Sequence, residues 1–206
     1  IHLGLVVIDP NERAKGFSWI LYGLTIILYF IKNRCSPFWV SNVTQVPSIM
    51  GSVSEGFSNV FPNPSTNNRR TYDHGILARE IMSRHRHVFG VGPDAEFDEE
   101  RFVIANAYTG GSDNLKKTFS DAPKHRRTVF NEFAERELNY DRGDDILQLG
   151  MMDLKAYYNY LAHSVPAGSL ILVIYRAIFL MVERSLVPFY QWLSPSQPMG
   201  VLRPRE

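Results

Sequence analysis

Two stretches of this chain are almost free of charge, while most of what lies between them is polar. Residues 17–31 carry no charged side chain, and residues 165–182 carry one, Arg176. At about 1.5 Å per residue, the first run as a helix reaches roughly 22 Å, against a bilayer hydrocarbon core of about 30 Å. Lys15, Lys32 and Arg34 flank it with stems long enough to snorkel to headgroups. Trp19, Tyr29 and Trp39 stand where interfacial aromatics are expected. Pro166 and Gly168 introduce the second run, and Pro188 ends or kinks it.

One alternative makes the first run a buried core helix. A domain of this size, however, has too little chain to surround two such helices on every side. The pattern therefore predicts a mainly α membrane protein, in which one hydrophobic helix near each end brackets a polar, mostly helical domain with an extended coil segment. The expected layout is an N-terminal segment over 1–16, a transmembrane helix over 17–34 and a docking coil over 35–70. A polar helical domain follows over 71–164, then a transmembrane or interfacial helix over 165–193 and a tail over 194–206.

Inside that frame, residues 36–68 hold a single charge, Glu55, among Ser, Asn, Pro, Val and Gly, with Phe38, Trp39, Phe57 and Phe61 interspersed. Disordered segments carry more charge and fewer aromatics, so a coil docked on a neighbouring surface is expected. Asn42-Val43-Thr44 is a glycosylation sequon if the segment enters a secretory lumen. Helical spacing follows in Leu77, Ile81 and Val88 over 75–88. Asp94 is expected to cap a helix reaching about Tyr108, closed by Gly110-Gly111. Val129, Phe130, Phe133 and Leu138 predict a helix over 124–140, and Ile146, Leu149, Leu154, Tyr157 and Leu161 another over 145–163.

The few polar groups of the apolar runs are the candidate contact residues. Ser18, Tyr22, Thr25 and Tyr29 share one helical face in the first, and Ser169, Arg176 and Glu183 form one line in the second. A guanidinium facing lipid costs at least ~2.5–3.5 kcal/mol on insertion scales, so Arg176 is expected to find a protein partner or an anionic lipid. Glu183 lies about 10 Å further along the axis, beyond direct reach.

Composition narrows the chemistry. The net charge of +1 gives no whole-chain drive toward nucleic acid. The single cysteine, Cys35, excludes an internal disulfide framework and a multi-cysteine zinc site. His85 and His87, with His74 nearby, form the best metal candidate, but positions i and i+2 of a helix point about 200° apart. The basic face Arg79, Arg84, His85, Arg86 and His87 suits either anionic headgroups or the acidic run Asp94, Glu96, Asp98, Glu99 and Glu100 of the same chain. Lys124-His125-Arg126-Arg127 lacks the aromatic interleaving of a nucleic-acid site. Neither a Gly-x-Ser-x-Gly elbow nor a His-Glu-x-x-His helix is present.

No catalytic, cofactor or metal residue is therefore assigned, and no nucleic-acid partner is expected. The expected function is that of a non-catalytic accessory subunit of a large membrane protein complex, a respiratory-chain or ATP-synthase assembly being the natural host. Its partners would be other membrane-protein subunits, with anionic lipid in contact, and its place the mitochondrial inner membrane as an integral protein. The alternative is a membrane-tethered metal-dependent enzyme using His74, His85 and His87.

Overall fold

The run Asp-Asp-Ile-Leu-Gln-Leu-Gly-Met-Met, barely polar after its first two residues, organises most of this protein, and it does so as a strand. The computed structural model describes residues 1–4, 17–66, 68–111, 115–164 and 167–193; the side chains of 17–20, 161–164, 167, 169–170, 173 and 191 are outside that description. The chain divides into two units, Ile1–Tyr160 and Leu161–Glu206.

The first unit holds a six-stranded sheet: β1 (His2–Leu3), β2 (Phe38–Thr44), β3 (Ser58–Phe61), β4 (Glu96–Asp98), β5 (Val103–Ala105) and β6 (Asp145–Met152). β6 is central. Along one side it pairs antiparallel with the whole of β2, from Phe38 opposite Met152 to Thr44 opposite Ile146, and β1 adds to β2 in parallel. Along its other side β6 pairs first with β5 and then with β3, and β4 closes the β5 edge as a hairpin.

Because successive side chains of a strand point to opposite faces, β6 feeds two apolar layers. On one face Ile146 packs with Met50, Ala134 and Leu138, and Met152 with Ile26, Phe30 and Ala156. These come from α1 (Phe17–Lys32), α2 (Pro47–Gly56), α4 (Thr128–Glu137) with Leu138 directly after it, and α5 (Leu154–Ser164). On the other face Leu147 and Leu149 meet Ala78, Met82, Phe102 and Ile104, with α3 (Tyr72–Glu80) as the covering helix. Burial on both faces explains why β6 reads as a continuous apolar run and not as an alternation.

Local chemistry fixes the helix ends. Thr71 and His74 form a capping box on α3, and the chain continues as a π turn and a 3-10 turn until Gly90, at φ 72°, stops it. Asp153 accepts from the Ala156 amide at 2.8 Å and caps α5. α2 begins with Pro47 and lies so close to the buried His125 ring that a Cβ on Gly51 would stand 2.3 Å from it. Gln148 in the middle of β6 donates to Ser54 Oγ and the Pro62 carbonyl, both at 3.1 Å, and ties strand to helix.

The second unit carries α6 (Ala167–Leu193), a helix of 27 residues with Pro188 inside it.

Several expectations are corrected. The chain is mixed α/β, not a mainly α membrane protein, and no helix among the described residues is long and apolar enough to cross a membrane. α1 has 16 residues, about 24 Å of rise, and it buries Ile26 and Phe30 in the core. α6 has the length, but Arg176, Glu183 and Arg184 interrupt its apolar sequence. The assignment as an integral protein of the mitochondrial inner membrane is overturned on the same ground.

The stretch expected as a docking coil contains β2, α2 and β3, and its aromatics belong to the core. Asn42 of the sequon is 4% exposed and donates to Gln148 at 3.4 Å, so no glycan fits there in the folded protein. The helix expected after Asp94 is the β4–β5 hairpin, and that expected over 145–163 is β6 followed by α5.

Candidate functional site

The N-terminal end of β6 carries two adjacent carboxylates in opposite circumstances. Asp144 is 1% exposed and fully engaged. Arg142 grips it with Nε and Nη2, each at 2.7 Å, and the Asn139 and Asn106 amides donate at 3.0 and 3.3 Å. Burial pushes its carboxyl up, but the arginine and the two amides outweigh burial and hold it below the usual carboxylate range.

Asp145 is also buried, at 6% exposure, and no ion pair reaches it among the described residues. Its one side-chain donor among the described residues is the Tyr108 hydroxyl at 3.0 Å. Tyr108 in turn accepts from Gln45 Nε2 at 2.6 Å, and the same Nε2 donates to the Leu115 carbonyl at 3.2 Å. Tyr140 donates to the Gln45 backbone carbonyl at 2.7 Å. Burial raises the Asp145 carboxyl to about 7; the neighbouring Asp144 adds to this, and Tyr108 opposes it. Burial also raises both tyrosines, with the charge of Asp145 as a further cause. Gln45 Oε1 stays without a hydrogen-bond partner at full burial. A buried carboxylate with no cation beside an unsatisfied amide oxygen is the kind of arrangement that concentrates at functional sites.

Beside this network, Tyr140 and Asp144 form part of the wall of an open cleft of about 600 Å³. The C-terminal end of α4 supplies Arg136 and Glu137, and the turn between β4 and β5 supplies Arg101. Arg101 Nε and Arg136 Nε both donate to the Glu137 carboxylate, at 2.7 and 2.8 Å. Burial pushes Glu137 up, and the two guanidiniums more than reverse it, leaving it below the ordinary value.

The residues singled out by the sequence lie elsewhere. Tyr22 is half-buried on α1 and donates to the Gly4 carbonyl. Thr25 is exposed and donates to the Leu21 carbonyl at 2.8 Å, and Tyr29 packs edge-on against Phe38 at 5.0 Å. The side chains of Ser18 and Ser169 are outside the described residues. Arg176 is exposed on α6 with no hydrogen bond or ion pair among the described residues, and Glu183 is half-buried on the same helix.

The histidines of the metal alternative do not meet. His74 is fully buried, with Nε2 on the Asn59 carbonyl at 2.9 Å and Nδ1 on Thr71 at 2.6 Å, whereas His85 and His87 are exposed. Among the described residues no group of three or more His, Cys, Asp and Glu could share a metal ion. The basic face does meet the acidic run of its own chain: Arg79 pairs with Glu99 at 2.8 Å.

Sequence reasoning missed the Asp144–Asp145 pair because Ile146, Leu149, Leu154, Tyr157 and Leu161 read as one helical stripe over 145–163. The available signal was the long apolar run directly after two acids, with Gln148 and Gly150 unsuited to an amphipathic helix. Compared with known proteins, the chain matches no family model, no curated protein and no solved structure.

Proposed function

We propose that this chain is a non-catalytic accessory subunit of a large membrane protein complex, a respiratory-chain or ATP-synthase assembly being the host, and that it contributes to assembly and stability. It is held there by protein contact through α6. The observation that carries this reading is α6. Ile171, Ile174, Tyr175, Ile178, Met181 and Trp192 are among its many exposed large apolar side chains. A contiguous apolar surface of this kind marks an interaction site, and a helix that is apolar on most sides needs burial among other elements.

Arg176 specifies the occupant. It is the one charge between Ala167 and Val182 on α6 and is unpaired among the described residues. Apolar helices of a partner subunit carrying a carboxylate opposite it would satisfy both features at once. The α/β unit then serves as the folded body that α6 attaches.

Truncating one partner of a buried charge pair costs about 2–5 kcal/mol, so Arg176→Leu is expected to lower the yield of assembled complex by tenfold or more. Its yield of folded chain should stay unchanged, because Arg176 is exposed and makes no hydrogen bond or ion pair among the described residues. Quantifying the chain in the isolated complex and in the total extract separates the two. Undiminished incorporation of the leucine variant would contradict the proposal.

A further inference from the structure

We infer that the cleft at the end of α4 binds a phosphate group, with Arg101, Arg136 and Arg142 as its ligands. The inference is independent of α6 and of the assembly reading.

The first ground is charge. Two guanidiniums share the single carboxylate of Glu137, so that cluster keeps one positive charge. Arg142 and Asp144 neutralise each other. Asp141 also lines the cleft, and its backbone carbonyl accepts from Lys116 Nζ at 2.5 Å. The excess positive charge is therefore local, at the end of the cleft where Arg101 and Arg136 share Glu137, and there it invites an anion.

The second ground is the set of donors left unused among the described residues. Arg101 spends Nε and Nη2 on Glu137, leaving Nη1. Arg142 spends Nε and Nη2 on Asp144, leaving Nη1. Arg136 spends only Nε, leaving both terminal nitrogens, and it lies over the Phe133 ring at 5.7 Å. Glu137 and Asp144 thus hold three guanidiniums by one edge each, already oriented. Prior orientation lowers the entropy lost on binding. Phosphate carries enough acceptor oxygens to meet several guanidiniums at once, which a halide or a single carboxylate does not. All three side chains are about half exposed or more, so the site is open to a ligand.

Such a phosphate has two sources, a soluble phosphorylated compound or the headgroup of an anionic lipid. The full-length protein is titrated calorimetrically with inorganic pyrophosphate, and its sedimentation is measured with vesicles of phosphatidylcholine alone or mixed with phosphatidic acid. Arg136→Gln is the diagnostic variant, since it removes free donors and, besides the contact with the Phe133 ring, only one internal hydrogen bond. Arg84→Gln, an exposed arginine paired with Glu80 at 3.0 Å, is the control.

Pyrophosphate binding that falls at least tenfold in Arg136→Gln but not in Arg84→Gln supports the site and a soluble source. Vesicle binding that requires phosphatidic acid and shows the same dependence supports the site and a lipid source. Absence of binding to both, or equal binding by Arg136→Gln and Arg84→Gln, overturns it. Thermal unfolding of Arg136→Gln, expected to match the parent, shows that a loss of binding is not a loss of fold.

Discussion

Asp145→Asn is expected to stabilise the protein at pH 8 by up to about 4 kcal/mol and to leave its stability at pH 4 unchanged. In the folded chain burial holds the Asp145 proton until about pH 7, against an ordinary value of 3.8. Stability belonging to that proton is fully present below about pH 4, falls as the pH rises toward 7, and is gone above it. Above pH 7 the native state carries an ionised carboxylate inside the sheet, with the Tyr108 hydroxyl as its one side-chain donor among the described residues. Asparagine keeps an acceptor for that hydroxyl and has no charge to bury. At about 2–4 °C per kcal/mol for a chain of this length, melting temperatures of parent and variant should coincide at pH 4. By pH 8 they should separate by about 10 °C. Parallel pH profiles would show that Asp145 is ionised at its ordinary value.

The second large effect lies in the core. Phe102→Ala is expected to destabilise the protein by about 3–5 kcal/mol. Phe102 is fully buried and meets Phe61 edge-on at 4.9 Å and Phe97 at 5.7 Å. It also sits at φ 59°, a left-handed backbone that a bulky side chain seldom adopts. The Asp98 carbonyl accepts its amide at 2.8 Å, while its own carbonyl accepts from Leu147 at 2.8 Å, fixing the β4–β5 turn to β6. Alanine leaves those backbone bonds possible and removes the ring, so the loss measures the packing that holds the strained turn. A drop in melting temperature of about 10 °C is expected at neutral pH. A change below about 1 kcal/mol would mean that the neighbouring rings close the gap.

How much of this was legible in the sequence depended on whether local spacing and tertiary burial agreed. The helix around Val129–Leu138 was readable because its apolar stripe and its exposed charges fall on opposite sides, and α4 occupies 128–137 of the expected 124–140. α1 was readable as a helix but not as a core element. Its exposed Leu21, Leu24 and Leu28 hide the fact that Ile26 and Phe30 dock on the sheet. β6 was misread because Ile146 and Leu149 are three apart, a spacing shared by helices and by strands buried on both faces.

The strands β2 and β3 escaped because Ser, Asn and Gln in this region are not loop residues. Asn42 and Gln148 are hydrogen-bonded across the sheet, which no local pattern announces. Cleft and buried network alike join residues distant in sequence, as in the Arg101–Glu137 and Gln45–Tyr108 contacts. Only the pairing of β2, β5 and β6 brings those segments together. α6 is the case in which hydrophobicity was read correctly and its use was not. The apolar run is real, yet Arg176, Glu183 and Arg184 break it before it reaches the length of a membrane span.

The accessory role is tested most directly by gentle detergent extraction of the source membranes, native separation, and quantitative mass spectrometry of the fraction containing this chain. The account predicts co-migration, in fixed stoichiometry, with the catalytic subunits of one large complex. Migration of the chain alone, as a small protein free of such subunits, would contradict it.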